Sequence, residues 1–391
     1  MAWCRAADVE PMMAVNLGTR GVQEAVDLLE YCNHPGGTRL SDQRRANGSP
    51  APYDVRLWCL GNEMDGDWQT GHLTAEDYGK LAGRTARAMR QVDDRLELVV
   101  CGSSFRAMPT FGEWERTVLE HTWDAVDYIS CHAYYRDSTN DLPEFLAAPV
   151  DMDRFIDSVA ATIDHVAALK RSDKKIAISF DEWNVWDVER YTAEDRRTAI
   201  DDWPVAPRLL EDCYTVADAV VVGGLLMSLL RHADRVKAAS LAQLVNVIAP
   251  IMTEPGGPAW RQTTFFPFAV TSRLTKPGAR VVPLTVDTPL YDTTAHGPVA
   301  LVDAVALVDD GGVSLFVVNR SPDEAVELAA DLRGAMHIEE AVGIWDDDPR
   351  AQNTLDQPER VTLRSAPADL VSGVVTLTLP PASWTAVRAA F

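Results

Sequence analysis

Residues 55–64 read Val-Arg-Leu-Trp-Cys-Leu-Gly-Asn-Glu-Met. An apolar run from Val55 to Leu60 is cut at Gly61 and leads straight into Asn62 and Glu63. A second stretch repeats the pattern: Ile176 to Phe180, then Asp181-Glu182-Trp183-Asn184. Short, mostly apolar runs ending in turn residues mark strands covered on both faces, as in parallel sheets flanked by helices. Working outward, further runs of this kind lie at Pro11–Leu17, Leu96–Cys101, Tyr128–Tyr135 and Ala238–Ile248. Helical patterns separate them at 21–33, 74–92, 111–123, 152–169, 208–231 and 265–274, and Thr74 with its following acids is suited to cap the second of these. Alternating strand and helix predicts an α/β fold. Six βα units are visible, two short of a closed (β/α)8 barrel. From about residue 278 the helical period gives way to short β-rich runs divided by turns such as Asp309-Asp310-Gly311-Gly312, which predicts an antiparallel β-sandwich.

Of 391 residues, 36 are Lys or Arg and 58 are Asp or Glu, a formal charge of −22. Such a balance disfavours nucleic acid and anionic membrane surfaces as partners. There is no apolar run long enough to span a bilayer and no basic-then-apolar leader, so the expected location is cytoplasmic. The six cysteines are scattered without a C-x-x-C pair and are expected as buried free thiols. H-E-x-x-H, phosphate-binding glycine motifs and G-x-S-x-G are all missing, so no metal or cofactor is expected and nucleotide or serine-hydrolase chemistry has no support.

What remains is carboxylate chemistry. Glu63 and Glu182 each follow an apolar strand, and in α/β barrels the site gathers at the strands' C-terminal ends. A desolvated carboxylate is costly unless paired or used. Two such groups facing each other meet the need of glycoside hydrolysis: one protonates the leaving oxygen, the other attacks or activates water. Alternation along Ile178, Phe180 and Glu182 predicts one shared inward face, and parity places Glu63 with Val55, Leu57, Cys59 and Gly61. For Asn62 to serve the substrate as well, the backbone must bend at Gly61–Asn62. Indole faces suit the C–H faces of sugars. Trp58, Trp68, Trp183 and Trp186 lie close to the pair in sequence; Trp58 and Trp183 are expected in the core, and Trp186 is a candidate platform.

The segments GNEMDGDWQTGH, CHAYY, DEWNVW and LAQLVNVIAPI, with MMAVNLGTRG, EYCNHP and SDQRRANG, together resemble glycoside hydrolase family 51, the α-L-arabinofuranosidases. The likeness is dense over 1–275 and looser beyond. It implies a retaining double displacement with Glu63 as acid/base and Glu182 as nucleophile. It also implies that Asn62 bonds the hydroxyl beside the anomeric carbon, that Tyr134 orients the nucleophile with His132 beside it, and that Trp186 and Gln243 line the sugar pocket. Asp187 departs from the family, which commonly has an aromatic residue or His there. The implied substrate is an arabinose-containing oligosaccharide, and relatives are often hexameric, so a homo-oligomer is a further expectation. In the family a sandwich strand and two βα units precede the segment matched here. The expectation is therefore an N-terminally incomplete catalytic barrel over 1–276, with six strands and a gap on one side, and a C-terminal sandwich over 277–391. Two other readings stay open: a barrel that is inactive or only binds sugar, and another barrel glycosidase such as an endoglucanase or β-xylosidase. DEWNVW and AQLVNVIAPI weigh against the latter.

Overall fold

The computed structural model describes residues 1–138, 140–195 and 204–391. The chain divides into two compact units. The first comprises Met1–Ala133, Phe155–Glu182 and Asp234–Ser240, and the second Tyr134–Arg154, Trp183–Ala233 and Leu241–Phe391.

The first unit is built on a six-stranded sheet in simple sequence order: β1 (Met12–Val15), β2 (Leu57–Leu60), β3 (Glu97–Val100), β4 (Tyr128–Tyr135), β5 (Ala177–Val185) and β6 (Val236–Leu241). The first pairings are parallel, with Met13 opposite Trp58, Trp58 opposite Leu98, and Val99 opposite Tyr128. This is the expected curled α/β sheet with six strands. The expected sixth strand at Ala238–Ile248 starts and stops earlier, ending at Leu241.

Helices cover the strands. Ala75–Val92 begins where Thr74 accepts the Asp77 N–H at 3.2 Å, and it buries Tyr78, Ala82, Ala86 and Met89. Tyr78 then ties two strand ends together. Its hydroxyl donates to the Leu60 carbonyl (2.6 Å) and accepts the Cys101 N–H (2.8 Å), while its ring stacks on Trp114. Trp58 is buried, as expected for a core indole. The helix Arg39–Ala46 has no counterpart among the predicted elements. Its sequence is strongly polar, and it is held by buried Arg44, which donates to the carbonyls of Tyr31, His34 and Ser49.

Alternation on β5 is opposite to expectation. Phe180 meets Phe155 of the covering helix Pro149–Lys170 edge to face, with centroids 5.8 Å apart. Ser179 and Asp181 share the other face, where the Ser179 hydroxyl donates to Asp181 (3.1 Å). The apolar alternation of this strand thus marks the side under the covering helix, not the inner one.

The second unit holds an antiparallel sheet in the order Arg364–Ser365, His337–Ile344, Ser383–Ala390, Gly312–Asn319, Val302–Asp309, Arg280–Val282. A three-stranded sheet, Val326–Asp331, Val374–Leu379, Ala368–Val371, accompanies it. Leu315, Val317 and Val387 of the larger sheet share one apolar core with Val375, Leu377 and Leu379 of the smaller, which makes the expected sandwich. The predicted helix 208–231 is shorter than its apolar sequence suggested. It runs over Val216–Arg231, because Thr215 and Asp218 form a reciprocal cap that fixes its start. Gly223 lets it approach Trp384 closely: a Cβ there would sit 2.2 Å from the indole. Trp183 is buried in this unit, as expected. Asp187, the departure noted above, caps the single turn Val188–Arg190.

Among the described residues no helix is long and apolar enough to cross a membrane. All six cysteines are free thiols; Cys32, Cys101 and Cys131 are buried, but Cys213 is exposed, against the expectation that all are buried.

Candidate active site

The loop after β2 departs from extended backbone at once. Gly61 has φ +101° and Glu63 φ +45°, so the bend expected at Gly61–Asn62 is present. A Cβ on Gly61 would stand 2.9 Å from Met64 Cγ, which leaves glycine as the residue that fits. The bend presents Asn62 to a cavity of about 240 Å³, whose wall also includes Cys59, Cys101, Ser130, His132, Asp181 and Glu182.

Glu63 reaches His132. Its Oε1 lies 3.0 Å from His132 Nδ1, and its Oε2 accepts the indole N–H of Trp68 (2.5 Å) and the amide of Gln69 (3.4 Å). On the far side of the imidazole, Nε2 lies 3.1 Å from Asp181 Oδ1. Asp181 in turn accepts from Ser179 and, at 3.6 Å, from the Cys59 thiol. Glu182 Oε2 stands 3.6 Å from His132 Nδ1. One oxygen of each glutamate and a ring nitrogen of His132 all lie within 4.8 Å of one another.

Charge follows from these contacts. Burial alone would strip the proton from His132. The hydrogen bonds to Asp181 and Glu63, with the charges of Asp181 and Glu182, outweigh it and raise the imidazole to about 10. Burial likewise pushes the Glu63 carboxyl up, but the hydrogen bond and charge of His132, then Trp68 and Gln69, bring it below its ordinary value. The proton therefore rests on His132, between Asp181 and two glutamates. A cation could bridge atoms so spaced, but it would have to displace that proton. The half-buried Cys59 thiol is raised far above its ordinary range, by loss of solvent first and then by Asp181, so it stays protonated.

The structure thus brings Asn62, Glu63, His132 and Glu182 together in the first unit. Tyr134, Trp186 and Gln243 belong to the second. There the Tyr134 and Trp186 rings meet edge to face at 5.0 Å, and the Gln243 backbone N–H donates to Ile248 O at 3.0 Å. Sequence reasoning assigned no role to Asp181, Trp68 or Gln69. Asp181 carried one signal, an acid immediately before Glu182 on an otherwise apolar strand.

A curled parallel sheet with two glutamates this close at its strand ends defines the class: a glycoside hydrolase of barrel type. The comparisons narrow it. Residues 1–153 match the family model described as alpha-L-arabinofuranosidase 1 domain, and residues 181–383 the alpha-L-arabinofuranosidase C-terminal domain. An intracellular exo-alpha-(1->5)-L-arabinofuranosidase of Streptomyces lividans is 56% identical over 387 residues, which is 97% of this chain and 57% of that protein. An exo-alpha-(1->6)-L-arabinofuranosidase of Bifidobacterium longum is 54% identical over 97% of this chain and 74% of that protein. Among solved structures, a family 51 alpha-L-arabinofuranosidase from Bifidobacterium longum superposes with a TM-score of 0.93 at 43% identity, covering 99% of this chain and 77% of that one. An arabinose complex of the Thermotoga maritima enzyme gives 0.85 at 26% identity, over 100% and 77%. The chain belongs to the family 51 α-L-arabinofuranosidases. It spans a little over half the length of the Streptomyces relative.

Proposed function

We propose that this protein removes terminal non-reducing α-L-arabinofuranosyl residues from arabinose-containing oligosaccharides by a retaining double displacement. The observation that carries the reading is the approach of Glu63 and Glu182, with oxygens within 4.8 Å. Retaining enzymes hold their carboxyls about 5–5.5 Å apart, whereas inverting ones leave about 6.5–9.5 Å for a water. Glu182, the more exposed of the pair, attacks the anomeric carbon as Glu63 protonates the departing oxygen. Water, deprotonated by Glu63, then opens the glycosyl ester. Both displacements invert the anomeric centre, so the product keeps the starting configuration.

Glu63 must carry a proton for the first displacement, yet His132, Trp68 and Gln69 favour its carboxylate. His132 holds that proton 3.0 Å away. The pair titrates as a unit, and the proton passes to Glu63 as the leaving oxygen gains charge. Asn62 lines the same cavity and bonds the hydroxyl beside the anomeric carbon. Tyr134 orients the nucleophile, while Trp186 and Gln243 line the pocket for the arabinose ring. Within this reading, 1–276 is the catalytic domain and 277–391 the supporting sandwich. The names of relatives that call them intracellular support a cytoplasmic location.

The test is proton NMR of an aryl α-L-arabinofuranoside digest before mutarotation. The α anomer of arabinose is expected first. Initial release of the β anomer would overturn the retaining mechanism, and hydrolysis of xylosides or glucans in preference to arabinofuranosides would overturn the substrate.

A further inference from the structure

We propose that Tyr78 is a positioning residue for Glu63: its hydroxyl stands as a wedge between the ends of β2 and β3 and fixes where the acid/base turn begins. This rests on Glu63 being the acid/base. The wedge is read from the ladder. Glu97 N–H donates to Arg56 O at 2.8 Å, Leu57 faces Glu97, and Leu60 faces Val100. Bonds from one parallel strand to its neighbour recur every second residue. By that count Cys101 N–H is due to donate to Leu60 O. Instead Cys101 N–H donates to the Tyr78 hydroxyl (2.8 Å), and this hydroxyl donates to Leu60 O (2.6 Å). Two hydrogen bonds stand where the ladder would place one, so the strands part here. The bend follows at once: Gly61, the next residue, has φ +101°, and Glu63 lies two residues further on.

Backbone satisfaction alone does not account for this hydroxyl. Without it, Leu60 O and Cys101 N–H have each other as partners. What the hydroxyl changes is their spacing. Tyr78, Leu60 and Cys101 are all buried, so water does not compete for these bonds. The phenol ring is fixed as well. It stacks on Trp114 with centroids 5.5 Å apart and 11° between planes, and the Trp114 indole N–H donates to Cys101 O (3.0 Å). Both backbone polar groups of Cys101 are therefore taken by side chains from the covering helices Ala75–Val92 and Glu113–Thr122. Beyond Glu63 the turn is anchored again. Asp65 accepts the Ser104 N–H (3.0 Å) and hydroxyl (2.5 Å), and Leu73 N–H donates to Met64 O (3.0 Å). Glu63 is thus carried between two anchors, and the upstream one is a single phenol hydroxyl.

Tyr78→Phe removes that hydroxyl and keeps the stacked ring. The strands can then close through the direct bond, which moves Gly61 and carries Glu63 off the leaving oxygen. The experiment measures kcat/KM for phenyl and for 2,4-dinitrophenyl α-L-arabinofuranoside. Phenolate needs a proton as it leaves, whereas dinitrophenolate hardly does. The phenyl-to-dinitrophenyl ratio should fall about tenfold or more, because a misplacement of about 1 Å can cost about a hundredfold. Loss of folded protein lowers both rates alike and cancels in the ratio. A ratio within about twofold of the parent's therefore leaves Tyr78 a support of the fold and overturns the proposal. Should Tyr78→Phe not fold, Tyr78→4-aminophenylalanine takes its place. Its N–H donates to Leu60 O, but its nitrogen is a poor acceptor for Cys101 N–H, so the wedge is half made. Its ratio should lie below the parent's, and a parental ratio overturns the proposal. If the parent hydrolyses neither glycoside, it is the acid/base reading that fails, and the wedge is judged at His132, 3.0 Å from Glu63. The imidazole titration, followed by nitrogen NMR, should shift in the folded Tyr78 variant in the same direction as in Glu63→Gln. A midpoint that stays at the parent's value overturns the proposal.

Discussion

The two glutamates differ in surroundings more than in position. Glu63 is held on both oxygens by His132, Trp68 and Gln69, and Glu182 Oε2 stands 3.6 Å from His132 Nδ1. Their removal should therefore have different consequences. Glu182→Ala should abolish turnover on every substrate, since no glycosyl ester forms. Glu63→Ala should spare the first step for good leaving groups, and added azide should restore the second. Steady-state and pre-steady-state rates over a leaving-group series check this. Uniform loss without azide rescue would reverse or void the assignment. Asp181 matters through His132. It supplies the strongest of the contacts that hold the imidazole protonated up to about 10, against an ordinary 6.5. In the proposed mechanism the Glu63–His132 pair must keep one proton, so the rate is expected to fall on the alkaline side as that proton is lost. Asp181→Asn removes the charge, so the alkaline limb of kcat/KM should move down in pH, toward the ordinary histidine value. A limb that stays in place in a folded variant would mean that Glu63 does not draw its proton from this pair.

At the scale of elements, the turn after β2 sets the site. Gly61 at φ +101° and Glu63 at φ +45° turn the chain so that Asn62 lines the cavity while Glu63 meets His132 of its wall. A non-glycine residue held at positive φ stores about 1–3 kcal/mol of strain. Gly61→Ala should lower stability by about 1–2 kcal/mol and depress kcat about tenfold or more. Denaturant unfolding and kinetics on one preparation check this, and an unchanged kcat would mean that the bend is incidental. This turn also marks how far the sequence could be read. The apolar runs that became β1–β5 stand out because burial on both faces demands continuous apolar residues. Glu63 and Glu182 stand out because carboxylates interrupt those runs. The inward parity of β5 does not, because Ile178 and Phe180 are as apolar as the inner face would need. Nor does the start of the helix at Val216. Leu209 and Leu210 prolong its apolar pattern, and only the Thr215–Asp218 cap ends it. Trp68 was legible as an indole near Glu63 but not as its hydrogen-bond donor, which depends on the fold of a six-residue loop.

For the molecule as a whole, the six-stranded order leaves β1 and β6 paired on one side only among the described residues. Both border the candidate site, through Met12, Met13 and Ala14 on one edge and Ser240 on the other. A free strand edge offers unpaired N–H and C=O groups to another chain. Charges and prolines blunt such edges; β1 itself, Met-Met-Ala-Val, carries neither, although Glu10 and Pro11 stand directly before it. Short-range pairing is opposed by long-range repulsion, because each chain carries −22. The two forces respond oppositely to salt. The Debye length is about 30 Å at 0.01 M and about 3 Å at 1 M, so salt removes the repulsion and leaves backbone pairing untouched. We therefore expect the 391-residue chain to self-associate with rising concentration, and more strongly as ionic strength rises. Sedimentation velocity over a salt series measures this. Association that weakens with salt would point to complementary charged surfaces instead. A monomer at every salt and concentration would mean that the edges are too short or too twisted to pair. The sign of the salt effect thus distinguishes the sheet edges from the acidic surface as the feature that governs how copies of this chain meet.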